Sequence, residues 1–414
     1  MSTSDPLPPL PWRRNLFFIS GGVIIAGTAF SLAAPFMPLY LQELGVKENL
    51  AVWSGVSLAA SAFSYSLMAP IWGTLADRHG KRVMLLRSGL GIAATYVLMA
   101  LSRNQWQFLL FRLANGVLGG FIPASLMLVA ANTPQEELGF ALGMVQTASS
   151  VGGIMGPMVG GTAAQFFGLR PALVFGAGLL CLAAGIGFFG AREEIPRRAG
   201  GPGVVAGMRS CFGQKDLRTL FLIMLLTQTA LMVVQPTLPL MIADLAGKNA
   251  ALLTGVIFSL AGISTALGAP LLGRIKGIDY RGALWLGLIA ASVLSGVQGL
   301  TSTLWLLGLA RFLFGFANAG ILVSGNVLIA RYAPRDARGQ VFGVLNGVSA
   351  IGSVVGPLLG GYIGQIWSPA GAFFVSGLIF LCCLPLLARG AGDSGAEIET
   401  GVTGDAKNSR DVKQ

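Results

Sequence analysis

The stretch GGIMGPMVGG, residues 152–161, places five glycines and one proline in ten positions. In water that composition specifies a turn. Here it lies inside the apolar run 139–164, which is long enough to cross a bilayer core as a helix, since a crossing takes about 20 apolar residues. Two hundred residues further on, GSVVGPLLGG at 352–361 repeats the Gly-Pro and Gly-Gly pairs in the same register. Gly152, Gly156 and Gly160 recur at every fourth residue and form one smooth stripe, along which another helix can pack without an intervening layer of side chains. Pro157 removes a backbone hydrogen bond and predicts a bend nearby. A generic tight helix contact accounts for the stripe. Gly156-Pro157 followed by Gly160-Gly161 recurs at the same place in the second half, although Ser353 stands where the first half has Gly153, and this suggests two matched bends closing one shared space.

Outward from this stretch the pattern continues. Of 414 residues 54% are hydrophobic and 11% charged, and the mean hydropathy is +0.71. This is the composition of an all-α polytopic membrane protein. Apolar runs at 16–41, 52–75, 83–101, 105–131, 139–164, 170–190, 218–243, 252–273, 282–300, 303–330, 339–364 and 370–388 predict twelve transmembrane helices. An offset of 200 aligns Gly55 with Gly255, Ala69-Pro70 with Ala269-Pro270, Gly73 with Gly273 and Gly143 with Gly343. One residue of slippage brings PFMPLY, 35–40, onto PTLPLM, 236–241, and Arg112 onto Arg311. The chain therefore reads as six helices twice. Six is even, so both copies start on the same side and the two bundles are parallel, pseudo-symmetric repeats about the membrane normal. The expected division is a disordered start at 1–12, one bundle at 13–190, a polar cytoplasmic linker at 191–217, a second bundle at 218–389 and a disordered tail at 390–414.

The net charge of +11 could suggest a nucleic-acid partner, but the basic residues are placed by topology. With the amino terminus inside, 22 of the 28 Lys and Arg fall on the cytoplasmic side and 4 outside, while Arg112 and Arg311 lie within helices. The positive-inside rule puts both termini in the cytoplasm, and no polyanion is needed to explain the charge. One histidine and four cysteines offer no metal-ligand spacing, and only Cys211 lies outside the spans, so neither a metal site nor a disulfide framework is expected. No Ser-His or paired-carboxylate constellation points to an enzyme.

Four motifs in order carry a family resemblance. GTLADRHGKR at 73–82 resembles the loop 2-3 signature of the major facilitator superfamily, and RLANG at 112–116 its span 4 signature. GGIMGPMVGG is similar to the span 5 antiporter signature, and PFMPLY to the span 1 pattern of the twelve-span drug:proton antiporters within that superfamily. The resemblance implies a secondary transporter, not an enzyme, working by alternating access in a bacterial inner membrane. It would export amphipathic small molecules in exchange for protons, with no cofactor and as a monomer in the lipid bilayer. A solute importer or proton-independent facilitator of the same fold is the alternative.

The resemblance also assigns residues. Gly73, Asp77, Arg78, Gly80, Lys81 and Arg82 are expected to latch the cytoplasmic side, with Asp77 facing the positive end of the helix that starts near Gly339. Glu136 and Glu137 are acids within reach of that basic cluster. Arg112, about 10 Å inside span 4 at 1.5 Å per residue, is tied by the family to proton coupling, and an arginine at that depth needs water or a partner. Glu43 is its nearest candidate partner in sequence, and Glu43, Asp77, His79 and Asp244 are the candidate proton carriers. No span has a carboxylate at its centre. Spans 1, 4, 7 and 10 line the cavity in this fold, which nominates Phe30, Phe36, Tyr40, Asn115, Phe121, Gln228, Gln235, Arg311, Phe314 and Asn318, about half of them to touch it. Aromatic and amide groups with little charge suit amphipathic ligands.

Overall fold

The protein is described by a computed structural model covering residues 12–193, 214–275, 277–333 and 338–389. Apart from Trp12, residues 191–193 and residues 214–217, the termini and linker expected to be flexible lie outside the described residues. Among those described, twelve helical spans are long and apolar enough to cross a membrane: Trp12–Glu43, Leu50–His79, Lys81–Ala100, Gln105–Asn132, Leu138–Phe167, Leu169–Gly190, Lys215–Ala246, Ala250–Arg274, Tyr280–Leu300, Leu304–Tyr332, Gln340–Ile366 and Pro369–Ala388. They are numbered spans 1 to 12. Several run past their apolar stretch, because a helix continues through polar residues until its backbone is stopped. Span 2 reaches His79, and Gly80 then ends it at φ 97°, a left-handed value that glycine tolerates. Span 7 begins at Lys215, so the linker is shorter than the expected 191–217.

The breaks follow the prolines only in part. Span 1 passes through a short 3-10 turn at Ala34–Phe36, which contains Pro35, and span 7 is interrupted between Val233 and Leu238 around Pro236. Pro157 and Pro357 sit inside unbroken helices, Leu138–Phe167 and Arg338–Ile366. Span 4 breaks between Val117 and Phe121, where Gly120 has φ 121°, whereas its repeat partner, span 10, is continuous. The Trp72 Nε1 and Arg87 Nη2 groups donate to the freed carbonyls of Val117 and Gly119, at 2.6 and 3.1 Å.

Each half packs its own core. Ile19, Val23, Leu85 and Leu180 are fully buried in the first, and Leu217, Ile223, Leu288 and Phe380 in the second. Phe166, Phe189, Leu286 and Trp305 point outward and are largely exposed, which suits a surface solvated by lipid rather than water. The halves meet along two seams, span 2 against span 11 and span 5 against span 8. The end of the bundle where span 1 begins and span 12 finishes is called the terminal face below, and the opposite end the distal face.

Candidate functional site

The glycine stripe of span 5 is a packing surface within the first half. A Cβ on Gly152 would stand 2.8 Å from Thr28 N, and one on Gly160 would stand 2.6 Å from Leu32 O, so the backbones of spans 5 and 1 are in direct contact. The Ser31 hydroxyl donates across that contact to Gly152 O at 3.2 Å. The second half repeats the arrangement, with Gly352 and Gly356 against Leu225 O and Thr229 O of span 7, at 3.0 and 2.7 Å from an added Cβ.

The remaining parts of the motif face the other half. A Cβ on Gly161 would meet Ala251 O at 2.7 Å and Gly255 Cα at 3.2 Å on span 8. A Cβ on Gly361 would meet Ala51 O at 2.5 Å and Val52 Cα at 3.2 Å on span 2. Reciprocally, Gly255 lies under the carbonyl of Pro157, and Gly55 under that of Pro357. Ser259 adds a hydrogen bond across the 5–8 seam to Ile154 O at 2.8 Å. All of these contacts lie toward the distal face, which is therefore closed by two pseudo-symmetric glycine seams.

Toward the terminal face the seams part. Gly73 on span 2, Gly143 on span 5, Gly273 on span 8 and Gly343 on span 11 each have nothing within 4 Å of an added Cβ. Each lies 18 residues from its distal counterpart, Gly55, Gly161, Gly255 or Gly361. At 3.6 residues per turn that is about five turns, so both glycines of a helix fall on the same face. The open end thus carries the same smooth surface as the closed end, without a partner in this state.

The expected latch sits at the open end. Asp77 is exposed and pairs with Lys81 at 3.4 Å, and Arg78 is likewise exposed. Among the described residues the second acid at this loop is Glu193, not Glu136 or Glu137, and it meets backbone N–H groups rather than the basic side chains. Its carboxylate accepts from Lys81 N and Arg82 N, both at 2.8 Å, and caps span 3. The Arg82 guanidinium lies 4.2 Å over the Phe188 ring and donates to Phe188 O. Glu193 is held by its neighbour, since the Arg192 backbone exchanges two hydrogen bonds with the Asn15 amide and accepts a third from Asn132. Position in sequence concealed this, because Glu193 is more than 100 residues from the loop it caps.

Arg112 and Glu43 are not partners. Glu43 pairs with Arg170 at 3.4 Å near the distal surface, whereas Arg112 is buried and donates from Nε to Ser57 O at 3.1 Å. A backbone carbonyl, not a carboxylate, receives this arginine. Four nominated cavity residues are packed into the halves instead. Tyr40 is buried with its hydroxyl donating to Met99 O at 2.7 Å, Phe121 and Phe314 belong to the cores, and Phe36 is buried beside Gly160. Large rings on these spans gain more by filling the bundle interior than by facing an aqueous space. Phe30, Asn115, Gln228, Gln235 and Asn318 are only partly buried. The amides of Asn115 and Gln228 donate to Thr95 Oγ1 and Ser353 Oγ, at 2.9 and 3.0 Å. Arg311 is buried beside Phe258 and Phe314.

Two parallel six-span bundles closed at one end and parted at the other, with matched glycine surfaces at both, define a secondary transporter of duplicated architecture. The model of the Major Facilitator Superfamily matches residues 19–296 and 220–404, and the chain belongs to that family. It is 35% identical over 386 residues to the multidrug resistance protein MdtG of Dickeya zeae (strain Ech586), covering 91% of this chain and 94% of that protein. To MdtG of Enterobacter lignolyticus (strain SCF1) it is 36% identical over 391 residues, with 92% of each covered. Among solved structures, the human organic anion transporter MFSD10 (TETRAN) is similar with a TM-score of 0.68 at 22% identity, over 92% of this chain and 100% of that one. The nucleoside transporter NupG superposes with a TM-score of 0.73 at 13% identity, over 91% and 98%. These two likenesses concern the fold.

Proposed function

We propose that the protein is a multidrug efflux transporter of the bacterial inner membrane, exporting amphipathic small molecules by alternating access and energised by the proton-motive force. The carrying observation is the 18-residue repeat of seam glycines, in contact at the distal end and free at the terminal end of the same helix faces. A rigid channel or enzyme has no use for a second, unoccupied copy of its own packing surface. A protein that closes each end in turn needs both. With the basic loops inside the cell, the terminal face is cytoplasmic and the described state is open to the cytoplasm. All parts of both seams come from one chain, which supports a working monomer.

Efflux is supported by the MdtG relatives, which are named for multidrug resistance. Expression in a strain lacking its major exporters, followed by a resistance profile and by uptake into everted vesicles, tests the reading. Raised resistance with inward flux into everted vesicles is expected, and unchanged susceptibility to every compound class would overturn it. Proton exchange has Asp77 as its best-placed carrier, on the side that opens. A proton-independent facilitator is the second reading, favoured by the lack of any carboxylate at mid-span. Flux in everted vesicles that ignores an imposed pH gradient would select it.

A further inference from the structure

In the first half the chain that leaves span 6 is clasped at the terminal face. Ala191 is buried, and the backbone of Arg192 is held from two helices. Asn15 on span 1 accepts from Arg192 N at 3.0 Å and donates to Arg192 O at 2.8 Å, and Asn132 on span 4 donates to the same oxygen at 3.0 Å. Glu193 then caps span 3, whose Arg82 side chain donates to Phe188 O near the end of span 6. One short segment thus joins spans 1, 3, 4 and 6.

The second half rebuilds the receiving side of this clasp. Asp216 on span 7 stands at the place of Asn15, by the same offset of 201 that sets Thr28 and Thr229 against the glycines of spans 5 and 11. Tyr332 on span 10 takes the place of Asn132 at an offset of 200. Arg281 on span 9 copies Arg82, donating to Leu387 O near the end of span 12 at 2.7 Å. With Leu220 and Leu328 these residues line a cavity of about 30 Å³. A drug-sized ligand needs about 300 Å³ or more, so the cavity fits nothing wider than a strand of small residues. Asp216 and Tyr332 are partly buried, and among the described residues neither side chain has a hydrogen-bond partner. An acceptor and a donor facing one narrow space match the N–H and C=O of a peptide backbone.

The repeat supplies that backbone. Gly190-Ala191-Arg192-Glu193 has its counterpart, again at an offset of 200, in Gly390-Ala391-Gly392-Asp393, which follows directly on Arg389 and lies outside the described residues. We propose that residues 390–393 dock in this cavity as residues 190–193 do in the first half. Asp216 accepts from the N–H of Gly392 in a charge-assisted bond, the Tyr332 hydroxyl donates to its carbonyl, and Ala391 lies against Leu220 and Leu328. Asp393 pairs with the Arg281 side chain rather than with backbone, because Asp279 already caps span 9 through Arg281 N and Gly282 N, both at 3.0 Å. Spans 7, 9, 10 and 12 are then tied together at the terminal face, the end at which the two halves part. The docking is independent of the molecule carried.

Amide hydrogen exchange of the full chain in nanodiscs, read on peptides spanning residues 386–398, tests this. The amides of 391–393 are expected to exchange about tenfold or more slowly than in a free synthetic peptide of the same residues. Asp216→Ala should return them to the free-peptide rate, whereas Asp216→Asn, which copies the amide of Asn15, should keep the protection. Exchange at 191–193 should stay unchanged in both variants. Free-peptide rates in the native protein, or protection that survives Asp216→Ala combined with Tyr332→Phe, would overturn the proposal. If Asp216→Ala does not fold, Tyr332→Phe takes its place: faster exchange supports the docking, and an unchanged rate overturns it.

Discussion

Replacing Gly361 with alanine should open the distal face. The added Cβ would stand 2.5 Å from Ala51 O and 3.2 Å from Val52 Cα, both of them backbone atoms that no side-chain rotation can move aside. The two helices must separate locally by about 1 Å to restore ordinary contact. Overpacking of this kind costs about 1–3 kcal/mol. The cost falls only on the distal-closed state, since the seam is parted when the distal face is open. At tenfold per 1.4 kcal/mol the balance between the two states should shift about 5- to 140-fold toward distal-open. Gly343→Ala is the internal control. It lies on the same face of span 11, has nothing within 4 Å, and should leave the distal-closed state unstrained. Pulsed electron-paramagnetic-resonance distances between spin labels at Asn49 and Gln365, in a background without the four native cysteines, read the distal opening directly. A longer distance population in Gly361→Ala and none in Gly343→Ala is expected. An unchanged distribution in Gly361→Ala, or the same shift in both variants, would refute the two-seam reasoning.

Three further outcomes follow from the same geometry. Gly156→Leu would drive its Cβ to 2.5 Å from Thr28 O and 2.9 Å from Leu32 N, so spans 1 and 5 cannot keep their contact; transport should be lost and the melting temperature of the purified protein should fall. Asp77→Asn removes an exposed pair with Lys81 at 3.4 Å, worth less than about 1 kcal/mol. Its melting temperature should therefore stay near native while transport drops strongly, and near-normal flux would count against a role in closing the terminal face. Glu193→Ala leaves Lys81 N and Arg82 N without their carboxylate and should cost about 0.5–2 kcal/mol, as loss of a helix cap does. Denaturant titration of the purified protein measures this, and an unchanged midpoint would show that the cap carries no stability.

Much of the architecture was legible in the chain. Length and composition of the apolar runs fix twelve crossings, because a bilayer leaves a helix no shorter solution and no unpaired backbone. The 200-residue repeat fixes two parallel bundles, and the stripe through Gly152, Gly156 and Gly160 announces a close helix contact. Even the seam glycines are visible as 18-residue spacings on four helices, a signal that becomes interpretable once the distal member of each pair is seen to touch the other half. What failed was pairing. Glu43 was expected near Arg112 because both lie toward the same face, yet Arg170 takes Glu43 and a carbonyl takes Arg112. Glu193 reaches the loop 2-3 signature from beyond span 6, whereas the lack of basic residues in their own loop had pointed to Glu136 and Glu137.

The sequence by itself therefore determined the solvent, the number of crossings, the duplication and the residues at which backbones must approach closely. Those depend on hydropathy, period and the missing side chain of glycine, all of which are local. Tertiary structure alone decided which aromatic rings fill the bundles, which partner each charge takes and which end is closed. Those outcomes depend on how helices far apart in the chain are rotated against one another, and a rotation of a fraction of a turn exchanges one partner for another without changing any local pattern.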